Sequence, residues 1–153
     1  MEALTEDDLR ACCAAPAWGA TILAGRPYPD RAALLAAADA AGRALSWDDV
    51  LLGLAAHPRI GERAAGETKE AAWSRREQES VRPDEALVAA NRAYEEKFGH
   101  VFLIFASGRS QEEIVAAAGQ RMQNDEETER RVVRDELRKI ALRRLEQVLD
   151  ARG

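Results

Sequence analysis

Cysteine, histidine and aromatic residues are all scarce in this chain of 153 residues, and each scarcity excludes something. The two cysteines, Cys12 and Cys13, are neighbours, so they cannot staple distant segments and leave no second pair elsewhere. A disulfide framework is excluded, and a reducing compartment is the natural setting. Two histidines and two vicinal cysteines also lack the ligand spacing of a zinc site. No apolar run approaches the roughly 18 residues that would suggest a membrane span, so no membrane partner is expected. Basic excess is missing too: the formal net charge is −5, against the basic surface of a nucleic-acid binder. The N-terminus is acidic from Glu2 and shows no secretory pattern, which points to the cytoplasm.

What is abundant is alanine, leucine, glutamate and arginine, a mixture that favours helices over strands. Thr5 precedes Glu6, Asp7 and Asp8, an N-cap followed by first-turn acids, and that helix should end before Pro16. A short apolar piece with Trp18, Ile22 and Leu23 closes at Gly25-Arg26-Pro27. An alanine-rich helix is expected from about Asp30 to Ala44, and Ser46 caps the next, which runs towards His57. Thr68 can cap a helix to about Glu79. Pro83 suits a first helical position, and the helix it begins should reach Phe98 and stop at Gly99. Ser110 with Glu113 forms a capping box, and Asn124 or Asp125 opens the last and longest helix, to about Asp150. Val101 to Ala106 alone has strand-like composition. A lone strand has no partner, so the segment reads as buried core, extended or helical. The expectation is an all-α, compact single-domain bundle of about seven or eight helices spanning residues 1–153. Arg130, Arg131, Arg134, Arg138 and Lys139, interleaved with Glu129, Asp135 and Glu136, read as a solvated, ion-paired helix face.

Three places carry polar groups that could do chemistry. Pro58 disfavours the α conformation at His57, so the preceding helix should stop there and leave the imidazole at a helix end. His57 can then exchange protons near neutrality, or simply cap the helix dipole. On the helix from Thr68, Trp73 is the only large hydrophobe, while Ser74, Glu77 and Gln78 share one side. That side is either a solvated face or a carboxylate and an amide offered to a polar ligand. In the last helix Val133, Leu137, Ile140, Ala141, Leu145 and Val148 trace a buried stripe, and Arg144 lies on it, four residues beyond Ile140. A buried guanidinium needs a partner, so Arg144 is either salt-bridged or an anion site, and Arg121, near Ile114 and Ala118, competes for that role.

Read in order, the blocks resemble a known family. Ala56-His57-Pro58-Arg59-Ile60-Gly61, Ser74-Arg75-Arg76-Glu77-Gln78 and the run from Asn91 to Gly99 are similar to those of OHCU decarboxylase, that is, 2-oxo-4-hydroxy-4-carboxy-5-ureidoimidazoline decarboxylase. Phe102 to Gly108, Lys139 to Leu145, and Trp18 with Arg26-Pro27-Tyr28 fit as well. The resemblance implies an all-helical, cofactor-free, commonly homodimeric enzyme that acts on a small ureidoimidazoline and forms (S)-allantoin in urate breakdown. It places the catalytic histidine at His57. It lines the substrate pocket with Pro58, Ser74, Arg75, Arg76, Glu77, Gln78, Phe102, Leu103, Ile104, Phe105, Ala106 and Arg144, and it implies no metal. The chain departs from the pattern at Glu79-Ser80-Val81, where many members have small residues and a longer loop. Its ending, Asp150 to Gly153, is not the peroxisomal Ser-Lys-Leu of some members, in keeping with a bacterial, cytoplasmic enzyme.

The residue types suit that chemistry. Decarboxylation leaves an electron pair on carbon, and the ring carbonyl and imine of this substrate can take it up. The protein must then orient the carboxylate, hold the polar ring edges and deliver a proton to one face. His57 can exchange the proton, Glu77 and Gln78 can bind N–H groups, backbone groups of Phe102 to Ala106 can read the ring, and Arg144 offers a cation. Two other readings are a non-catalytic helical module that keeps a ureido-ligand pocket, and an ordinary helical interaction protein.

Overall fold

The structure is a computed structural model that describes residues 4–57, 59, 68–78, 81 and 84–152. Among these the architecture is all-α: eight helices and no strand. They are α1 (Glu6–Cys12), α2 (Pro16–Ala24), α3 (Arg31–Arg43), α4 (Trp47–Leu54), α5 (Lys69–Glu77), α6 (Glu85–Phe98), α7 (Gln111–Arg121) and α8 (Glu126–Arg152).

Local chemistry sets most of the boundaries. Thr5, Asp30, Ser46, Thr68, Asp84 and Ser110 each accept a hydrogen bond from a backbone N–H three residues on, satisfying a donor that the first helical turn leaves open. Thr5 with Asp8 and Ser110 with Glu113 complete reciprocal capping boxes. α6 departs from the expectation that Pro83 opens it. Asp84 is its N-cap and Glu85 its first residue, because a carboxylate cap offers the open N–H groups an acceptor. At the other end Gly99 adopts φ 79°, a left-handed conformation that costs a residue without a side chain little.

The chain divides into two compact units, residues 1–56 with 134–153 and residues 57–133. In the first, α1 packs on α2 and α2 on α3. Leu9, Trp18, Ile22, Leu34, Val50, Leu137 and Leu145 are almost wholly buried there, and the Trp18 indole N–H donates to the Ala38 carbonyl at 3.1 Å. Gly53 permits the close approach of α4 and α8: a Cβ at that position would lie 2.9 Å from a Leu137 methyl group. Arg138, on the same stretch of α8, reaches Asp39 at 2.5 Å and Asp135 at 2.6 Å. The second unit pairs α6 with α7 around Val81, Leu87, Tyr94, Phe102, Ile104, Ala106, Ile114 and Ala118.

Candidate active site

α4 ends at Leu54, and a turn through Ala55 and Ala56 carries the chain to His57, which is half-buried in a bend. The helix therefore stops just before the histidine, as Pro58 leads one to expect; Pro58 itself lies outside the described residues. Arg59 is described, and its guanidinium grips the carboxylate of Glu95 on α6, with Nε 2.9 Å from both oxygens.

α5 gives a mixed answer on its polar side. Ser74 and Gln78 are buried beside buried Trp73, Glu77 and Arg75 are half-buried, and Arg76 is exposed. The serine and the amide are thus not a solvated face. Gln78 is the C-cap of α5, and its carbonyl accepts from Val81 N–H at 2.9 Å, which leads straight into the apolar cluster containing Phe102, Ile104 and Ala106. The polar residues of α5 are in this way anchored to the core on which the 101–106 segment lies.

That segment is neither helix nor strand. Phe102, Leu103, Ile104 and Ala106 are buried and Phe105 is half-buried. Side chains take up its carbonyls: Arg121 Nη1 donates to Leu103 at 2.6 Å and Arg109 Nε to Phe105 at 3.0 Å, while His100 Nδ1 lies 3.1 Å from the Val101 oxygen. His100 also packs edge-on against Tyr94 and stacks on Phe98.

Arg121, the rival of Arg144 as an anion site, is a partner in a buried ion pair. Its Nε and Nη2 donate to one oxygen of Glu129 at 2.8 and 2.5 Å. The Tyr94 hydroxyl donates to the same oxygen, and the Asn124 amide to the other at 3.0 Å. Glu129 has no exposed surface, which corrects its reading as part of a solvated face. Its signal was present in the sequence, because Glu129 lies four residues before Val133 and so on the buried stripe of α8. Burial, and after it the hydrogen bond to Glu129, push the Tyr94 phenol well above its ordinary range, so it stays protonated as a donor.

Arg144 belongs to the first unit. It is buried, as its place on the stripe implies, and its Nη1 lies 3.5 Å from the Ala11 carbonyl. Its charge also acts on Cys13, whose thiol burial pushes up to about 11 against the opposing pull of the Ala15 N–H and Arg144. A cavity of about 260 Å³ in this unit is lined by residues of α1, α2 and the turn between them, including Arg10, Cys13, Pro16 and Gly19, and none of the candidate residues lines it.

The family model of OHCU decarboxylase matches residues 2–146. The chain belongs to the OHCU decarboxylase family. Among solved structures, a crystal structure of OHCU decarboxylase in the presence of (S)-allantoin superimposes with a TM-score of 0.77 at 25% identity, covering 95% of this chain and 99% of the other. A crystal structure of (S)-allantoin synthase gives a TM-score of 0.62 at 24% identity, covering 92% of this chain and 48% of the other, a likeness of fold. A uric acid degradation bifunctional protein from Bacillus sp. (strain TB-90) is 34% identical over 62 residues, 40% of this chain. The match spans only 12% of that longer protein. The family assignment agrees with the order of blocks in the sequence.

Proposed function

We propose that this member of the OHCU decarboxylase family decarboxylates 2-oxo-4-hydroxy-4-carboxy-5-ureidoimidazoline to (S)-allantoin, as a cofactor-independent step of urate breakdown in the cytoplasm. The observation that carries the reading is the family match over residues 2–146, supported by the likeness to an OHCU decarboxylase structure over nearly the whole of both chains. The whole chain acts as one decarboxylase domain, and the working form is a homodimer.

The reaction breaks the bond between the ring carbon and its carboxylate. Carbon dioxide leaves, and the electron pair moves into the adjacent imine, which is conjugated with the ring carbonyl, to give an enol. The hydroxyl on that carbon then gives up its proton to become a ring carbonyl, and the neighbouring ureido-bearing carbon takes up one proton. A site for this step must fix the carboxylate and protonate one face. His57 is the catalytic residue, exchanging that proton near neutrality. In the second unit, Ser74, Arg75, Arg76, Glu77 and Gln78 meet the ureido and ring N–H groups, and Pro58 and the backbone of Phe102, Leu103, Ile104, Phe105 and Ala106 bound the ring; Arg144 supplies a cation for an anionic group. The burial of Ser74, Gln78 and the 102–104 stretch suits a site that excludes water, where the carboxylate is lost as neutral carbon dioxide. Trapping carbon dioxide from carboxyl-labelled substrate tests the reading: release well above the protein-free background is expected, and release at that background overturns it.

A further inference from the structure

The buried ion pair of Arg121 and Glu129 does more than hold two helices. A trans peptide unit points its C=O and its N–H in opposite directions. Arg121 Nη1, 2.6 Å from the Leu103 oxygen, therefore fixes where the N–H of Ile104 points, which is away from the guanidinium. Ile104 is buried, and among the described residues its N–H has no hydrogen-bond partner. A buried donor left unpaired is costly, so an orientation of this kind persists only when something imposes it. The guanidinium is itself held by several groups: two N–H groups on Glu129, a third contact to the Tyr94 hydroxyl at 3.4 Å, and its central carbon 4.6 Å from the centre of the Phe102 ring. Only a rigid fork with several donors can serve the carboxylate and the carbonyl at once; an ammonium cannot.

We propose that Arg121, locked by Glu129, is a positioning residue that turns the Leu103–Ile104 peptide so that the Ile104 N–H is offered to an acceptor on the substrate, a carbonyl or carboxylate oxygen. This rests on the reading above that the 102–106 backbone borders the substrate. The role explains why a charged pair sits in an apolar core, where leucine and methionine would pack at less electrostatic cost.

The test follows the Ile104 amide by ¹⁵N–¹H correlation spectra of the full chain, with (S)-allantoin as the probe, beside steady-state kinetics. In the wild-type chain the probe shifts the Ile104 amide. Arg121→Lys abolishes that shift and raises KM about tenfold or more, whereas Tyr94→Phe, which loosens the same ion pair without touching Leu103, lowers Tm but leaves KM and the amide shift near wild type. If Arg121→Lys does not fold, Arg121→Met with Glu129→Leu removes both charges together, which a core tolerates, and the same loss of shift is expected. An Ile104 amide unmoved by the probe in the wild type, or moved equally in the Arg121 variants, overturns the positioning role. An intact amide shift with no turnover of the ureidoimidazoline overturns the decarboxylase reading alone.

Discussion

Arg59, two residues beyond His57, closes a two-point ion pair on Glu95 of α6, with Nε 2.9 Å from each carboxylate oxygen and Nη2 2.8 Å from one of them. The chain that leaves His57 is thereby fastened to the helix that carries Tyr94. Half of the Arg59 side chain is exposed, so the pair contributes little to global stability. Glu95→Gln should cost less than about 1 kcal/mol of unfolding free energy, yet lower kcat severalfold because the His57 bend loses its tether. Denaturant melts beside initial rates check this; equal, small effects on both would make the pair mere surface.

The two histidines should separate cleanly. His57→Asn keeps size and some hydrogen bonding but cannot exchange a proton, and a loss of about a hundredfold or more is expected, in the range of general acid–base catalysis. His100 packs on Tyr94 and Phe98 and lies beside the Val101 carbonyl. His100→Asn should cost some stability and little turnover. Comparable effects on kcat in two folded variants would remove His57 from its role.

Much of this arrangement was legible in the sequence, and the limits have a physical cause. Caps at Thr5, Ser46, Thr68 and Ser110 depend on neighbours three residues away, so local reading finds them. Glu129 misled because the groups that neutralise it, Tyr94, Arg121 and Asn124, come from two other helices and a loop. Seen alone among arginines, a glutamate looks solvated; only its place on the stripe hinted at burial. Asp84 gives no stronger local signal than Pro83 beside it, which fits a helix start equally well. The dihedral freedom of the 101–106 segment is settled by Arg109 and Arg121, which composition cannot reveal.

Glu129→Ala should be among the most damaging single changes, because it strands a buried guanidinium. A loss of about 3–5 kcal/mol is expected from breaking one side of such a pair, read as a drop in Tm. Arg144→Met should behave differently, impairing substrate binding with Tm unchanged or raised. A large fall in Tm with near-normal kinetics would assign Arg144 to architecture.

Acid should weaken the first unit through Asp39. Hydrogen bonding from Arg43, then Arg138, holds its carboxyl below the ordinary range. A carboxyl depressed in the folded state stabilises above its unfolded pKa of about 3.9, and that contribution is lost as the pH falls through the folded value. Asp39→Asn should therefore narrow the stability difference between pH 7 and pH 3. Cys13 gives the opposite sign: raised to about 11, its contribution is present below the unfolded pKa of about 8.5 and lost as the pH climbs towards the folded value. Iodoacetamide at pH 8 should label Cys13 only as fast as the chain opens.

The central claim is tested most directly by circular dichroism at the allantoin bands, with freshly generated 2-oxo-4-hydroxy-4-carboxy-5-ureidoimidazoline as substrate and a chelator present. The account predicts rapid growth of the (S)-allantoin signal, unaffected by the chelator and lost in His57→Asn. Racemic product formed at the spontaneous rate would contradict it.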